Sequence, residues 1–315
     1  MLVPILRRIA LGAITLLGVA TLVFVATELI PGDAAFAILG QSASEEALVS
    51  MRERLGLDRP AYVRYFDWLG RALAGDLGVS FGTNAPVAPL VAERLWNTLR
   101  LAAFAALISM PAAFLIGVGT AIRAGSALDR GVGALALTVV AVPDFFVGLV
   151  LVFLLAVQLD LFPAIAIVRP GQDFGGFLWA TFLPAMTLAL AIAPHLIRMT
   201  RSAILSGLTS SYVETSILKG LSRTRIIWCH VLPNVVGPLI SVSALILAYF
   251  IAGVVVVETV FAFPGIGRLM VDAIAIKDTQ LIQACALVLA GIYVGINTLA
   301  DVLAGLSNPR LRGDT

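Results

Sequence analysis

Charge is scarce in this chain. Only 13% of its 315 residues are Asp, Glu, Lys or Arg, where a soluble protein of this length carries roughly a quarter. With 60% hydrophobic residues and a mean hydropathy of +1.00, its apolar surface has to be met by lipid. Cysteine is almost missing. Cys229 lies in a polar stretch and Cys285 in an apolar run, which excludes a disulfide scaffold. The two histidines, His195 and His230, stand far apart with no Cys or carboxylate cluster beside them, so no metal site is expected. No G-x-x-x-x-G-K-[ST] phosphate loop occurs, and Lys219-Gly220 stands in the reverse order. ATP is therefore not bound here by that route. A nucleophile elbow, H-E-x-x-H and CxxC are absent too, so no catalytic residues, no cofactor on this chain and no nucleic-acid partner are expected.

What is present is a series of apolar runs long enough to cross a bilayer. The first is Ile9 to about Thr27; a cleaved signal peptide is the alternative, but the run is long for that. Five more follow at about Leu99–Ile122, Val132–Leu159, Phe177–Ile197, Val235–Val257 and Leu281–Leu303. The expected fold is thus an all-α integral membrane protein of six spans. Its parts are a terminus and first span (1–30), a polar region (31–98) and a five-span core (99–315) that includes a polar loop (201–234). In the polar region Pro31-Gly32-Asp33 makes a turn. Ser44 caps a helix that carries Leu48, Met51 and Leu55, and 60–74 is amphipathic and rich in aromatics. These pieces are too short and too polar to span, so they form a small helical cap at the membrane face. Pro111, Gly117 and Gly119 in the second span read as packing features.

The distribution of basic residues sets the orientation. Six spans place both termini on one side. That side holds Arg7, Arg8, Arg123, Arg130, Arg198, Arg201, Lys219, Arg223, Arg225, Arg310 and Arg312, against Arg169, Arg268 and Lys277 in the short loops opposite. Both termini and the 201–234 loop are expected in the cytoplasm. The cap is expected outside, where a cysteine at Ser80 would react with an impermeant thiol reagent. Within the spans the costly polar groups are Asp144, Glu258, Asn297 and Asp301. For Asp144, beside Pro143, a pathway role and a structural pair stand level; for Glu258 and Asp301 structural roles are favoured, and Asn297 can simply bond a neighbouring helix.

The segment Ser211–Asn234 is the most basic of the C-terminal two thirds. Val213, Ile217 and Leu221 recur at i, i+4 and i+8, which is one helical face. Glu214 suits the helix start, where Ser210 or Ser211 could cap, and Gly220 permits a bend before Ile226, Ile227 and Trp228. The expectation is two short helices presenting an apolar stripe to a partner, or lying flat on the membrane.

Glu214-Thr215-Ser216, three residues, Gly220, nine residues, His230, one residue, Leu232-Pro233 resembles the EAA loop of ABC-importer permeases. Glu214, Gly220, Leu232 and Pro233 match; Thr215, Ser216 and His230 depart. LIPGDAAFAILG from Leu29 and VVVETVFAFPGIGRLMVDAI from Val255 are similar to the dipeptide/oligopeptide branch of that family, so the resemblance covers nearly the whole chain. It implies a type I importer permease fold in a bacterial inner or plasma membrane. It also implies a second homologous permease, two cytoplasmic ATPases that bind ATP and Mg, and an extracytoplasmic substrate-binding protein. Val213, Glu214, Thr215, Ser216, Ile217, Gly220, Leu221, Leu232 and Pro233 would then couple to an ATPase, and Asp144, Glu258 and Asn297 are candidates for the substrate pathway. Importers of nickel chelates, glutathione or oligosaccharides remain open. A proton-coupled secondary carrier using Asp144 and Glu258 is the reading from another class, although no internal symmetry of the kind such carriers show is visible.

Overall fold

The computed structural model describes residues 2–30, 34–40, 43–169, 171–235, 239 and 253–307. Most of the expected fifth span, the turn at Pro31-Gly32-Asp33 and Arg310 and Arg312 lie outside them. Among the described residues the chain is helical, with one isolated bridge between Val79 and Pro86. Four helices are long and apolar enough to cross a membrane, and a bent pair brings the number to five if it counts as one span.

Helix α1 (Leu2–Glu28) is followed by α2 (Ala34–Leu39), α3 (Glu45–Leu55) and α4 (Ala61–Leu73). The Oγ of Ser44 accepts from the Ala47 N–H at 3.3 Å, and Gly56 at φ +65° ends α3 in the left-handed region. Helix α4 starts directly after Pro60, whose fixed φ suits a helix entry. Helix α5 runs from Val87 to Ile122 and so begins well before Leu99; Arg94 and Arg100 lie within it.

The expected third span is not one helix. It is α6 (Ala127–Ala141) and α7 (Asp144–Leu151, continued in wider turns over Val152–Gln158), bent by 103° at the break. Pro143 causes the break. It pushes Val142 out of the helical region to ψ 129°, and α7 restarts with Asp144 in its first turn. The expected fourth span is displaced as well. Phe177 belongs to the short α8 (Phe174–Ala180), and the long helix is α9, Phe182–Leu208. Thr181 separates the two, its hydroxyl donating back to the Phe177 carbonyl at 2.7 Å. The loop supplies α10 (Ser211–Leu218) and α11 (Arg223–Ile226, continued over Ile227–Val231). A helical stretch over 253–260 (α12), α13 (Ile266–Ala275) and α14 (Thr279–Ser307) complete the order.

The chain divides into two compact units. Unit 1 is Met1–Ile5, Arg100–Phe263 and Gly295–Thr315. Its core is built on Leu101, Leu183, Leu188, Phe261 and Phe263, all nearly or wholly buried. Phe162 stacks on Phe182 at 4.2 Å, and the Arg100 guanidinium lies 4.6 Å above the Phe177 ring. A bidentate pair ties α6 to α9: Arg201 donates through Nε and Nη2 to Asp129 at 2.6 and 2.9 Å, and Asp129 also accepts from the Gly125 N–H. Asp129 is 6% exposed and Arg201 37%. Loss of the arginine strands the more buried partner. Arg201→Met is therefore expected to lower stability and Asp129→Asn to lower it less. Thermal unfolding of the purified chain checks the order, and the double substitution should cost less than the sum.

Unit 2 is Leu6–Leu99 and Pro264–Val294. One cluster joins Val87 and Val91 of α5 to Ile266, Leu281 and Cys285; a second joins Ala20 and Phe24 of α1 to Trp68 of α4. Asp278 fixes the loop before α5 by accepting from Ser80 Oγ at 2.6 Å and from the Gly82 N–H at 3.1 Å. Ser80 is consequently fully buried, which corrects its expected use as a surface labelling position. Asn97 and Thr98 do a similar task at the start of α13, through the Pro264 carbonyl and the Ile266 N–H.

Candidate functional site

Within unit 1 the polar loop is seated on a core of its own. Val118 and Ala121 of α5, Ile204 of α9, and Val213, Ile226, Ile227 and Val231 of the loop are all buried together, with Leu221 and Leu232 packed against them. This corrects the expected outward stripe. Val213 is 1% exposed and Leu221 half-buried, so the chain itself covers both. Ile217 at 59% and Leu218 at 87% point away, beside exposed Glu214, Thr215 and Trp228. The i, i+4, i+8 spacing fails twice: within α10 the buried face runs through Val213 and Ser216 and leaves Ile217 outside it, and α10 stops at Leu218. Beyond it the chain turns, and Leu221 no longer shares a helical face with Ile217.

The turn is a Schellman motif. The Gly220 N–H donates to the Ile217 carbonyl at 2.8 Å, and the Leu221 N–H to the Ser216 carbonyl at 3.3 Å. Gly220 has φ +74°, which an L side chain adopts only with strain, while the space where its Cβ would lie is open. The glycine is thus required by backbone conformation, not by a close neighbour within this chain. At the start of α10 the expected serine cap is not made: the Ser210 hydroxyl donates instead to the Gly207 carbonyl. Ser222 caps α11 through Arg225, and Arg223 reaches the Ala121 carbonyl at 3.4 Å. Ser216 is buried, its hydroxyl bonded to the Tyr212 carbonyl, and Pro233 is exposed. His230 is half-buried, and its Nδ1 is buried without a hydrogen-bond partner among the described residues. That is an unfavourable place for a polar atom.

The three candidate pathway residues are also in unit 1. Asp144 is partly buried, with Oδ2 3.7 Å from the Cβ position of Gly253 in α12. Glu258, five positions along α12 from Gly253, is wholly buried, and its backbone carbonyl accepts from Phe263 to close the turn at Ala262. Asn297 is partly buried on α14. Sequence reasoning missed Leu218 as the most exposed large apolar residue of the loop, and it missed the Asp129–Arg201 pair. No spacing rule connects positions so distant in the chain.

Residues 113–313 match the family described as binding-protein-dependent transport system inner membrane component, and residues 1–102 match the N-terminal part described for the same systems. A protein of Brucella abortus (strain 2308) is 39% identical over 310 residues, which cover 98% of this chain and 99% of its own length. The oligopeptide transport system permease protein AppB of Bacillus subtilis (strain 168) is 34% identical over 310 residues, 98% of each chain. The dipeptide transport system permease protein DppB of Escherichia coli (strain K12) is 32% identical over 337 aligned positions, 99% of each chain. With matches along almost its full length and several apolar helices able to span, the chain belongs to the family of binding-protein-dependent transport system inner membrane components.

Proposed function

We propose that this chain is one of two homologous permease subunits of an ATP-driven importer of short peptides, working with two cytoplasmic ATPases and an extracytoplasmic binding protein. Six spans in the type I arrangement, both termini in the cytoplasm and the 31–98 cap outside complete the reading. The observation that carries it is the seat of the 211–231 segment: Val213, Ile226, Ile227 and Val231 hold it down while Ile217 and Leu218 are offered outward. An apolar pair held out on a short, firmly anchored helix is suited to a partner's groove. Val213, Ser216 and Leu221 act in coupling as its foundation, Ile217 and Leu218 as its contact, and Gly220 as its bend; Glu214, Thr215, Leu232 and Pro233 frame it. Asp144, Glu258 and Asn297 are proposed to face the pathway or to shape its wall, since polar and ionisable groups at membrane depth mark functional or structural positions. The peptide class rests on the names of the relatives.

Two measurements test this reading. Proteoliposomes holding the complete importer should take up a labelled dipeptide with ATP and with a collapsed proton gradient; uptake that follows the gradient instead would overturn it. Topology is read by thiol labelling. Ser50 is exposed on α3, so Ser50→Cys in a background lacking Cys229 and Cys285 should react with an impermeant maleimide in intact cells. The native Cys229, exposed in the loop, should react only after the membrane is breached. The opposite pattern inverts the orientation.

A further inference from the structure

Unit 2 holds a hollow of about 440 Å³. That lies within the roughly 300–1,000 Å³ of small-molecule sites. Its wall from α4 is set by spacing: Arg64, Trp68 and Arg71 fall at i, i+4 and i+7, on one helical face. Phe24, Thr27 and Glu28 of α1 and Gln280 and Gln283 of α14 face them across it. Trp68 and Phe24 are almost fully buried and form an apolar floor, their rings 6.0 Å apart.

The charge around this floor is uneven. Arg52, Arg59, Arg64, Arg71 and Lys277 line the hollow against Glu28, Asp58 and Asp67. Glu53 borders an adjoining hollow that Arg71 shares, and positive charge is still in excess when it is counted. Arg64 pairs with Glu28, and Arg59 with Asp67 at 2.6 Å. Arg71 makes no ion pair among the described residues, and its planar guanidinium suits a carboxylate held by two hydrogen bonds. Gln283 donates its Nε2 to Thr27 at 2.8 Å, which leaves its Oε1 to accept from a ligand N–H. A cation, an amide acceptor and an aromatic floor together match a carboxylate next to an N–H and an apolar side chain.

We propose that this hollow binds the C-terminal residue of a short peptide, with its carboxylate on Arg71 and its side chain over Trp68. The site rests on the importer reading and adds to it a peptide station within unit 2. The test uses the full chain in lipid nanodiscs and calorimetry with Ala-Phe and Ala-Phe amide. The free acid should bind at least tenfold more tightly than the amide. Arg71→Gln should remove that difference by weakening the acid alone, and Arg71→Lys should restore part of it. Arg71 is exposed, so these variants should elute from gel filtration as the parent does. Equal affinity for acid and amide, or an unchanged Arg71→Gln, overturns the assignment. Weaker capture of the binding protein by Arg71→Gln, with peptide affinity unchanged, gives the site to a protein carboxylate and overturns it too. ATP-driven uptake of Ala-Phe by the complete importer is measured beside these. Uptake without binding defeats the station alone, and absence of uptake defeats the peptide-importer reading.

Discussion

Replacing Ile217 and Leu218 together by Asp is expected to abolish ATP-driven uptake while the chain still inserts and purifies at its usual level. Both side chains are more than half exposed, so neither contributes much to the fold of this chain. In a partner's groove each would bury apolar area worth about 1.5–3 kcal/mol. Aspartate gives up that term and carries an unpaired charge into the contact. A combined loss above about 3 kcal/mol weakens association more than a hundredfold. ATPase subunits should then be lost on purification, or remain without responding to substrate. Val213→Asp is the contrast: it places a carboxylate in the buried cluster and should remove the folded chain itself. Gly220→Val should act between these extremes. The left-handed bend costs an L residue roughly 1–2 kcal/mol and a β-branched one more, so the Schellman turn should open, while Gly220→Asn should be mild. Normal uptake with full ATPase retention in the Ile217/Leu218 double variant would sink the coupling assignment and leave α10 as a helix resting on the membrane surface.

The spans were legible wherever apolar length alone decides. The first and last follow from uninterrupted runs, and α1 and α14 are found there. The third was not, because the hydropathy of 132–159 is continuous across Val142-Pro143 and the 103° bend is a backbone event that leaves no trace in it. Ser44 and Gly56 bound α3 from within its own sequence, by local hydrogen bonds. The loop shows the limit most clearly. Its helices, its bend and its glycine could be read from spacing. Which apolar residues face inward depends on Val118, Ala121 and Ile204, positions far away in the chain. The ion pair of Asp129 with Arg201 and the burial of Ser80 by Asp278 are likewise contacts between distant segments, invisible to any local pattern.

Gly117→Val is expected to prevent folding of unit 1. A Cβ at this position would lie 2.7 Å from Thr200 Cβ and 2.9 Å from the Ile197 carbonyl oxygen, on the face where α5 meets α9. Thr200 is 1% exposed and has no room to retreat, and a helix carbonyl moves only with its helix. Membrane helices gain little from apolar burial against lipid and depend on close approach at small residues, so a forced separation here costs contacts along the whole face. Overpacking of this kind costs typically 1–3 kcal/mol for a single added methyl, and valine adds two further carbons. Gly117→Ala should thus lower thermal stability by about 2 kcal/mol, and Gly117→Val should leave little monodisperse protein. Gly119 is the internal control. It lies on the same helix with nothing within 4 Å of its Cβ position, and Gly119→Ala should leave stability unchanged or raise it by up to about 1 kcal/mol. Thr200→Ala should relieve little of the Gly117→Ala loss, because it removes Cγ2 at 3.0 Å and leaves the Thr200 Cβ and the Ile197 carbonyl in place. A Gly117→Val chain that melts at the parental temperature would mean that α5 and α9 do not meet at this residue.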